Sequence, residues 1–259
     1  MRFVSAILSW FLTFLAVGAI PIPVNPSNHV NIHNEQEHLK TPGGQKRVDN
    51  VKQAAVNAHT GMEQSARVAN FPENPENHAI LVEVFKKDFM TLIDTIRKNV
   101  ETIRDGKLEI VDINSGDVRH AATDRKSKEV YLGPNFHSEF KSDQQRAGTL
   151  IHEASHALVG TSDYFAKSDG KPISTHEAKK LKIGSVCGGV SKDFQKLDTC
   201  QSVWNADSYK KLASLAIEQY NKHGGKPPAK GRQEPVQKNF RVSKTQKKTQ
   251  KNKKRYKNL

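Results

Sequence analysis

Apolar residues recur at helical spacing along several stretches of this chain. From Val48 to Val68 they fall at Val48, Val51, Ala54, Ala55, Ala58, Met62, Ala66 and Val68, a loosely kept helical face. "FPENPENHA" interrupts it. A stronger stripe then runs from His78 to Arg104 through Ile80, Leu81, Val84, Phe85, Phe89, Leu92, Ile93, Ile96, Val100 and Ile103, and Gly106 ends it. This spacing predicts one amphipathic helix over 78–104. "LEIVDI" and "EVYLGP" are short, rich in β-branched residues and separated by turn residues, which predicts two strands of a small sheet. Ser142 or Asp143 can cap a further helix, "QQRAGTLIHEASHAL", which reaches to Gly160. "NADSYKKLASLAIEQYNKHGG" predicts the last helix, with Asn205 as its cap and a double glycine as its stop.

The ends of the chain pattern differently. "MRFVSAILSWFLTFLAVGAIPIP" has a positive start at Arg2 and an apolar run from Phe3 to Val17, with small residues at Val17-Gly18-Ala19. This is the form of a cleaved secretory signal over 1–19. As a membrane anchor the run is short for a span of about 20 residues. Residues 20–47 are rich in Pro, Asn, His and Gly and read as a linker or pro-segment. It ends at the dibasic Lys46-Arg47, a candidate processing point if exposed. The folded domain is expected over 48–221.

The overall charge of +14 is concentrated at one end. Residues 222–259 hold 14 Lys and Arg against the single acid Glu234, so the rest of the chain is near neutral. This basic tail is polar and repetitive, expected to be disordered alone, and suited to an anionic surface or polymer. Its alternative reading is a solvated, disposable extension. Cys187 and Cys200 are the only cysteines, and in an oxidising compartment a pair this close is most simply one disulfide. No Cys-x-x-Cys spacing favours a metal role for them.

The segment that carries chemistry is "AGTLIHEASHALVGTSDYFA". Residues four apart share a helix face, so His152 and His156 point the same way with Glu153 beside them. Two neutral imidazoles suit zinc, and a glutamate next to them suits general-base work on a metal-activated water. Leu150, Ile151, Ala154, Ala157 and Leu158 make the helix otherwise apolar, so polar groups on it need partners if it is buried. The helix stop at Gly160 lets the chain reverse, and Asp163 can then supply a third ligand.

"HEASH" followed by "GTSDY" resembles the aspzincins, the metallopeptidase family of deuterolysin and peptidyl-lysine metalloendopeptidase. The likeness extends upstream through "VYLGPNF" and "DQQRAGTLIHEASH" and downstream to "NADSYKKLA", covering about 48–221. It implies a mostly helical α+β, zincin-like domain with a small sheet and an active-site helix carrying the His-Glu-x-x-His motif. It also implies one Zn2+ held by His152, His156 and Asp163, with Glu153 as base. The strand near Val130–Gly133 would line the cleft, where an extended substrate could add to its edge. The family tyrosine three places after the aspartate is replaced here by Ala166, and Tyr164 is the candidate for its oxyanion-stabilising role. The lysine-specific branch receives a substrate lysine on acids of the "NAD" segment. Asp207 fits that pattern, whereas Lys210 would repel a lysine, and Asp207 also reads as a first-turn helix charge.

The function expected is a secreted, extracellular and monomeric zinc metalloendopeptidase acting on proteins or peptides, without a stable membrane anchor. The rival is a non-catalytic secreted binding protein or effector on the same scaffold, working through its tail.

Overall fold

The computed structural model describes residues 29–140, 142–166, 172–174 and 194–225. Strand β1 (Val30–Ile32) and helix α1 (Glu35–Leu39) lead into α2 (Gly44–Asn70), which is seven turns long and buries Val48, Val51, Ala54, Ala55, Met62 and Ala66 on one face. This corrects the linker reading of 20–47 over its second half. β1 pairs in parallel with a strand from the middle of the chain, and Val30 and Ile32 are buried. Lys46 and Arg47 lie in the first turn of α2, where Arg47 is bonded to Thr41 Oγ1 and Pro42 O at 2.8 and 3.0 Å rather than presented on an open loop.

The helix expected over 78–104 is two helices. α3 (Pro75–Phe85) starts with proline in its first turn, and the Asn74 side chain caps the amides of Glu76 and Asn77. It stops at Lys86, whose φ of 71° lies in the left-handed region. A short 3₁₀ turn over Phe89–Leu92 leads into α4 (Ile93–Asp105). The stripe misled because Phe85, Phe89 and Ile93 are all buried in the one core, although the backbone breaks at the polar Lys86-Lys87-Asp88 between them.

Strands β2 (Leu108–Asp112), β3 (Ala121–Thr123) and β4 (Glu129–Leu132) complete a four-stranded sheet in the order β1-β2-β4-β3. β1, β2 and β4 are parallel, and β3 returns antiparallel along β4 with Thr123 opposite Val130. β4 is therefore internal. Among the described residues the strand with an open edge, beside the helix that carries His152 and His156, is β3, which corrects the expectation that a substrate could add to Val130–Gly133.

Beyond the short α5 (Pro134–Ser138), Ser142 caps α6 (Asp143–Ala154) in a reciprocal capping box with Gln145. α6 continues as a single π-helical turn, Ser155–Val159, and stops at Gly160 with φ 74°. β5 (Tyr164–Ala166) pairs antiparallel with β6 (Pro172–Ser174). After a 3₁₀ turn over Phe194–Lys196, α7 (Thr199–Val203) leads to α8 (Ala206–Lys222). α6 packs against both α2 and α8. One core joins Ile110, Val130 and Leu132 of the sheet to Val51, Leu150 and Tyr209 of the helices, so the α+β expectation holds.

Cys200 is a free, exposed thiol at the start of α7, contrary to the expected bridge, and Cys187 lies outside the described residues. So do the expected signal over 1–19 and the tail beyond Gly225. Among the described residues no helix is long and apolar enough to cross a membrane.

Candidate metal centre

The end of α6 brings His152, Glu153 and His156 to one place, and the chain reversal at Gly160 returns Asp163 to them. The Nε2 atoms of His152 and His156 are 3.2 Å apart, and Asp163 Oδ1 is 3.1 Å from the first and 3.2 Å from the second. The three atoms form a nearly equilateral triangle. Ligands about 2.0–2.1 Å from a tetrahedral zinc are separated by about 3.3 Å, so the triangle is close to one face of such a site. The imidazole planes meet at 89°, which lets both Nε2 atoms aim at a common point.

The rest of each histidine is committed elsewhere. His152 Nδ1 donates to Asp207 Oδ1 at 3.0 Å, and His156 Nδ1 donates to the carbonyl of Thr161 at 2.9 Å. These bonds fix each ring so that Nε2 carries the lone pair when the imidazole is neutral, as a metal ligand requires. Asp207 thus sits behind a candidate ligand and orients it, a role different from the receipt of a substrate lysine that the resemblance suggested. It is also the first-turn acid of α8, so the simpler expectation for it holds.

Local structure explains why the loop returns as it does. Thr161 is fully buried, its hydroxyl lies 2.7 Å from Ser155 Oγ, and its amide bonds the carbonyl of Ser155. Ser162 is clamped by two backbone bonds, from its amide to Trp204 O at 2.8 Å and from Ala206 N to its carbonyl at 3.1 Å. Asp163 follows directly and inherits that fixed position. Gly160 makes the reversal possible, because its left-handed backbone is costly for any residue with a Cβ.

Glu153 is buried, and Thr123 of β3 donates to its Oε2 at 2.6 Å. That bond ties the edge strand to the candidate base. Thr123 carried no signal of its own in the sequence, and Thr161 stood out only as part of the "GTSDY" stretch. Tyr164 begins β5, and its ring is half-buried against the margin of the core.

The charges at the centre perturb one another. Burial acts to lower the His152 pKa, but Asp163 and Asp207 bond its two nitrogens and outweigh it, so the imidazolium is pushed up to about 10. Burial acts to raise Asp163, and the two imidazoles beside it override that and hold the carboxyl well below the usual range.

No known family model matches this chain, and no curated protein matches its sequence. Among solved structures it is similar to a zinc peptidase from Grifola frondosa, with 17% identity and a TM-score of 0.39 over 66% of this chain and 96% of that one. At that distance the functional reading rests on the geometry of the centre itself.

Proposed function

We propose that this chain is a secreted zinc-dependent metalloendopeptidase of aspzincin type. The observation that carries the reading is the triangle of His152 Nε2, His156 Nε2 and Asp163 Oδ1, all within 4.8 Å of one another. Three protein ligands of this kind leave one position open, as catalytic zinc sites do. Zinc held there would supply a Lewis acid that polarises a peptide carbonyl and makes water acidic near neutral pH. The chain's own groups do the remaining work. Glu153 takes a proton from water and delivers it to the leaving amine, while Thr123 holds its carboxylate in place. Asp207 and the Thr161 carbonyl keep both imidazoles in the tautomer that binds metal. An extended peptide can pair with the open edge of β3, which places its carbonyls beside Glu153. Tyr164, next to Asp163 in the chain, is the candidate to stabilise the oxyanion. A cleaved signal would deliver the protein outside the cell.

The deciding experiment measures zinc content and hydrolysis of a mixed peptide library by the wild type and Glu153→Gln. About one zinc per chain in both proteins is expected, with chelator-sensitive cleavage in the wild type. The variant should lose activity by about 10²–10⁴-fold, the usual contribution of a general base. Equal cleavage by the two proteins would overturn the assignment of Glu153, and absence of zinc would overturn the metal centre.

A further inference from the structure

Ser155 lies between the two candidate ligands of α6, where the α-helix gives way to the π-helical turn. It is fully buried, and inside a helix a serine hydroxyl bonds the carbonyls of the preceding turn. Its Oγ donates to the carbonyl of His152 at 2.7 Å and lies 2.7 Å from Thr161 Oγ1. Its own carbonyl accepts the amides of Gly160 and Thr161, five and six residues further on. An α-helical carbonyl accepts from the residue four further on. The turn is therefore wide, of the kind that recurs at functional sites, and Ser155 is joined to both ends of it.

The hydrogens of this group admit one arrangement. The Thr161 carbonyl can only accept, so His156 Nδ1, 2.9 Å away, carries a proton. That nitrogen then cannot accept from the Thr161 hydroxyl, which lies 3.2 Å from it. The Ser155 hydrogen is used on the His152 carbonyl, which again can only accept. The Thr161 hydrogen is left to point at Ser155 Oγ. The bonds run in one direction, from the His156 ring to Thr161, from Thr161 to Ser155 and from Ser155 to the backbone of His152. Hydrogen bonds aligned in this way strengthen one another. Asp163 stands two residues beyond Thr161, past the clamped Ser162. One buried hydroxyl thus reaches the backbone of one candidate ligand, the ring support of the second and the start of the segment that carries the third.

We infer that Ser155 is a positioning residue whose hydroxyl, acting through Thr161, holds the wide turn so that His152, His156 and Asp163 meet. The inference rests on the reading of this centre as a zinc site. Without the hydroxyl, Thr161 loses its acceptor and the turn is free to tighten towards α-helix.

The test uses the full chain and two metals, zinc for affinity and cobalt for geometry. Ser155→Ala removes the hydroxyl, and Thr161→Val removes the donor to it while keeping the shape of the threonine. Each should weaken zinc binding by about 10–100-fold in chelator competition, the usual cost of losing an outer partner of a metal ligand. The visible spectrum of the cobalt-loaded protein should change as well, because it follows coordination geometry. The double variant should lose little more than either single one, since both break the same chain of bonds. Where the alanine variant does not fold, Ser155→Cys takes its place, a thiol being a much weaker donor. Ser65→Ala is the control. Ser65 is equally buried and bonds the carbonyl of Gly61 at 2.8 Å within α2, a helix that supplies no candidate ligand. Its loss should lower stability and leave zinc affinity and the cobalt spectrum unchanged. Wild-type affinity with an unchanged spectrum in the Ser155 variant would overturn its positioning role, as would additive losses in the double variant. Zinc binding that depends on Ser155, without cleavage of any peptide, would overturn the peptidase reading and leave Ser155 standing. A wild type that binds no zinc would overturn both.

Discussion

Thr123 contributes one hydroxyl to the centre, and its bond to Glu153 Oε2 is 2.6 Å long. Replacing it by valine keeps the shape and removes the donor. A buried carboxylate then loses a charge-assisted bond, which is worth about 1.5–3 kcal/mol. We expect Thr123→Val to lower kcat by about tenfold or more with zinc content unchanged, and Thr123→Ser to restore most of it. An unchanged kcat in the valine variant would mean that the carboxylate is held by something else. Asp207 separates from Thr123 by the kind of damage it causes. Asp207→Asn should weaken zinc binding by about 10–100-fold, because the amide orients His152 poorly, and this is read by chelator competition. The candidate ligands themselves were legible in the sequence, since helical spacing alone puts His152 and His156 on one face. Their supports were not. Thr123 reaches Glu153 only through the pairing of β3 with β4, a contact between residues 30 apart that no local pattern encodes.

At the scale of elements, what the sequence hid was short or shared. β1 and β3 have three residues each, too few for alternation to stand out, and β3 reads "AAT". The long helices were legible because one face of each is buried throughout, although the same continuity concealed the break at Lys86. β1 has a further property that composition could not suggest. At its start the His29 ring stacks on His59 of α2, 3.8 Å between centroids, and its Nδ1 is buried without a hydrogen-bond partner. Burial lowers the His29 pKa and proximity to His59 adds to this, while Asp105 opposes them; His59 in turn contacts the carbonyl of Arg104 at 3.2 Å. A histidine with a folded pKa below its unfolded value contributes stability at high pH, and this is lost as pH falls from about 6.5 through the folded value. Acid should therefore loosen the start of β1 first. The amide of Leu108, bonded to His29 O at 3.0 Å, should exchange faster relative to its intrinsic rate between about pH 7.5 and about pH 5.5. The amide of His33, at the end pinned by the His33–Glu109 contact of 2.8 Å, should change less. His29→Phe should remove the pH dependence, and its persistence in that variant would refute the assignment.

Across the whole molecule, the centre joins parts that are distant in the chain. α6 supplies two candidate ligands, the loop after Gly160 supplies a third, α8 holds His152 through Asp207, and β3 holds Glu153 through Thr123. A metal at this junction ties helix packing to the sheet edge, so its binding energy is also folding energy. The protons at the centre set the terms. Without metal, the imidazolium of His152 bridges Asp163 and Asp207, and its pKa of about 10 is above the unfolded value. That contribution is fully present below about pH 6.5 and fades as pH rises through 10. Asp163 has the opposite sign: held below its usual range, it contributes above about pH 4 and is lost as pH falls further. These two groups therefore stabilise the metal-free protein most between about pH 4 and about pH 6.5. Zinc requires a neutral His152, so each binding event must expel that proton. The apparent zinc affinity should rise about tenfold per pH unit through the neutral range, with about one proton released per metal from this residue. Chelator competition at three pH values, with calorimetry in buffers of different ionisation enthalpy, measures both. An affinity independent of pH would show that His152 is neutral in the metal-free protein. The two-aspartate bridge would then have to be replaced by a centre already preorganised for metal.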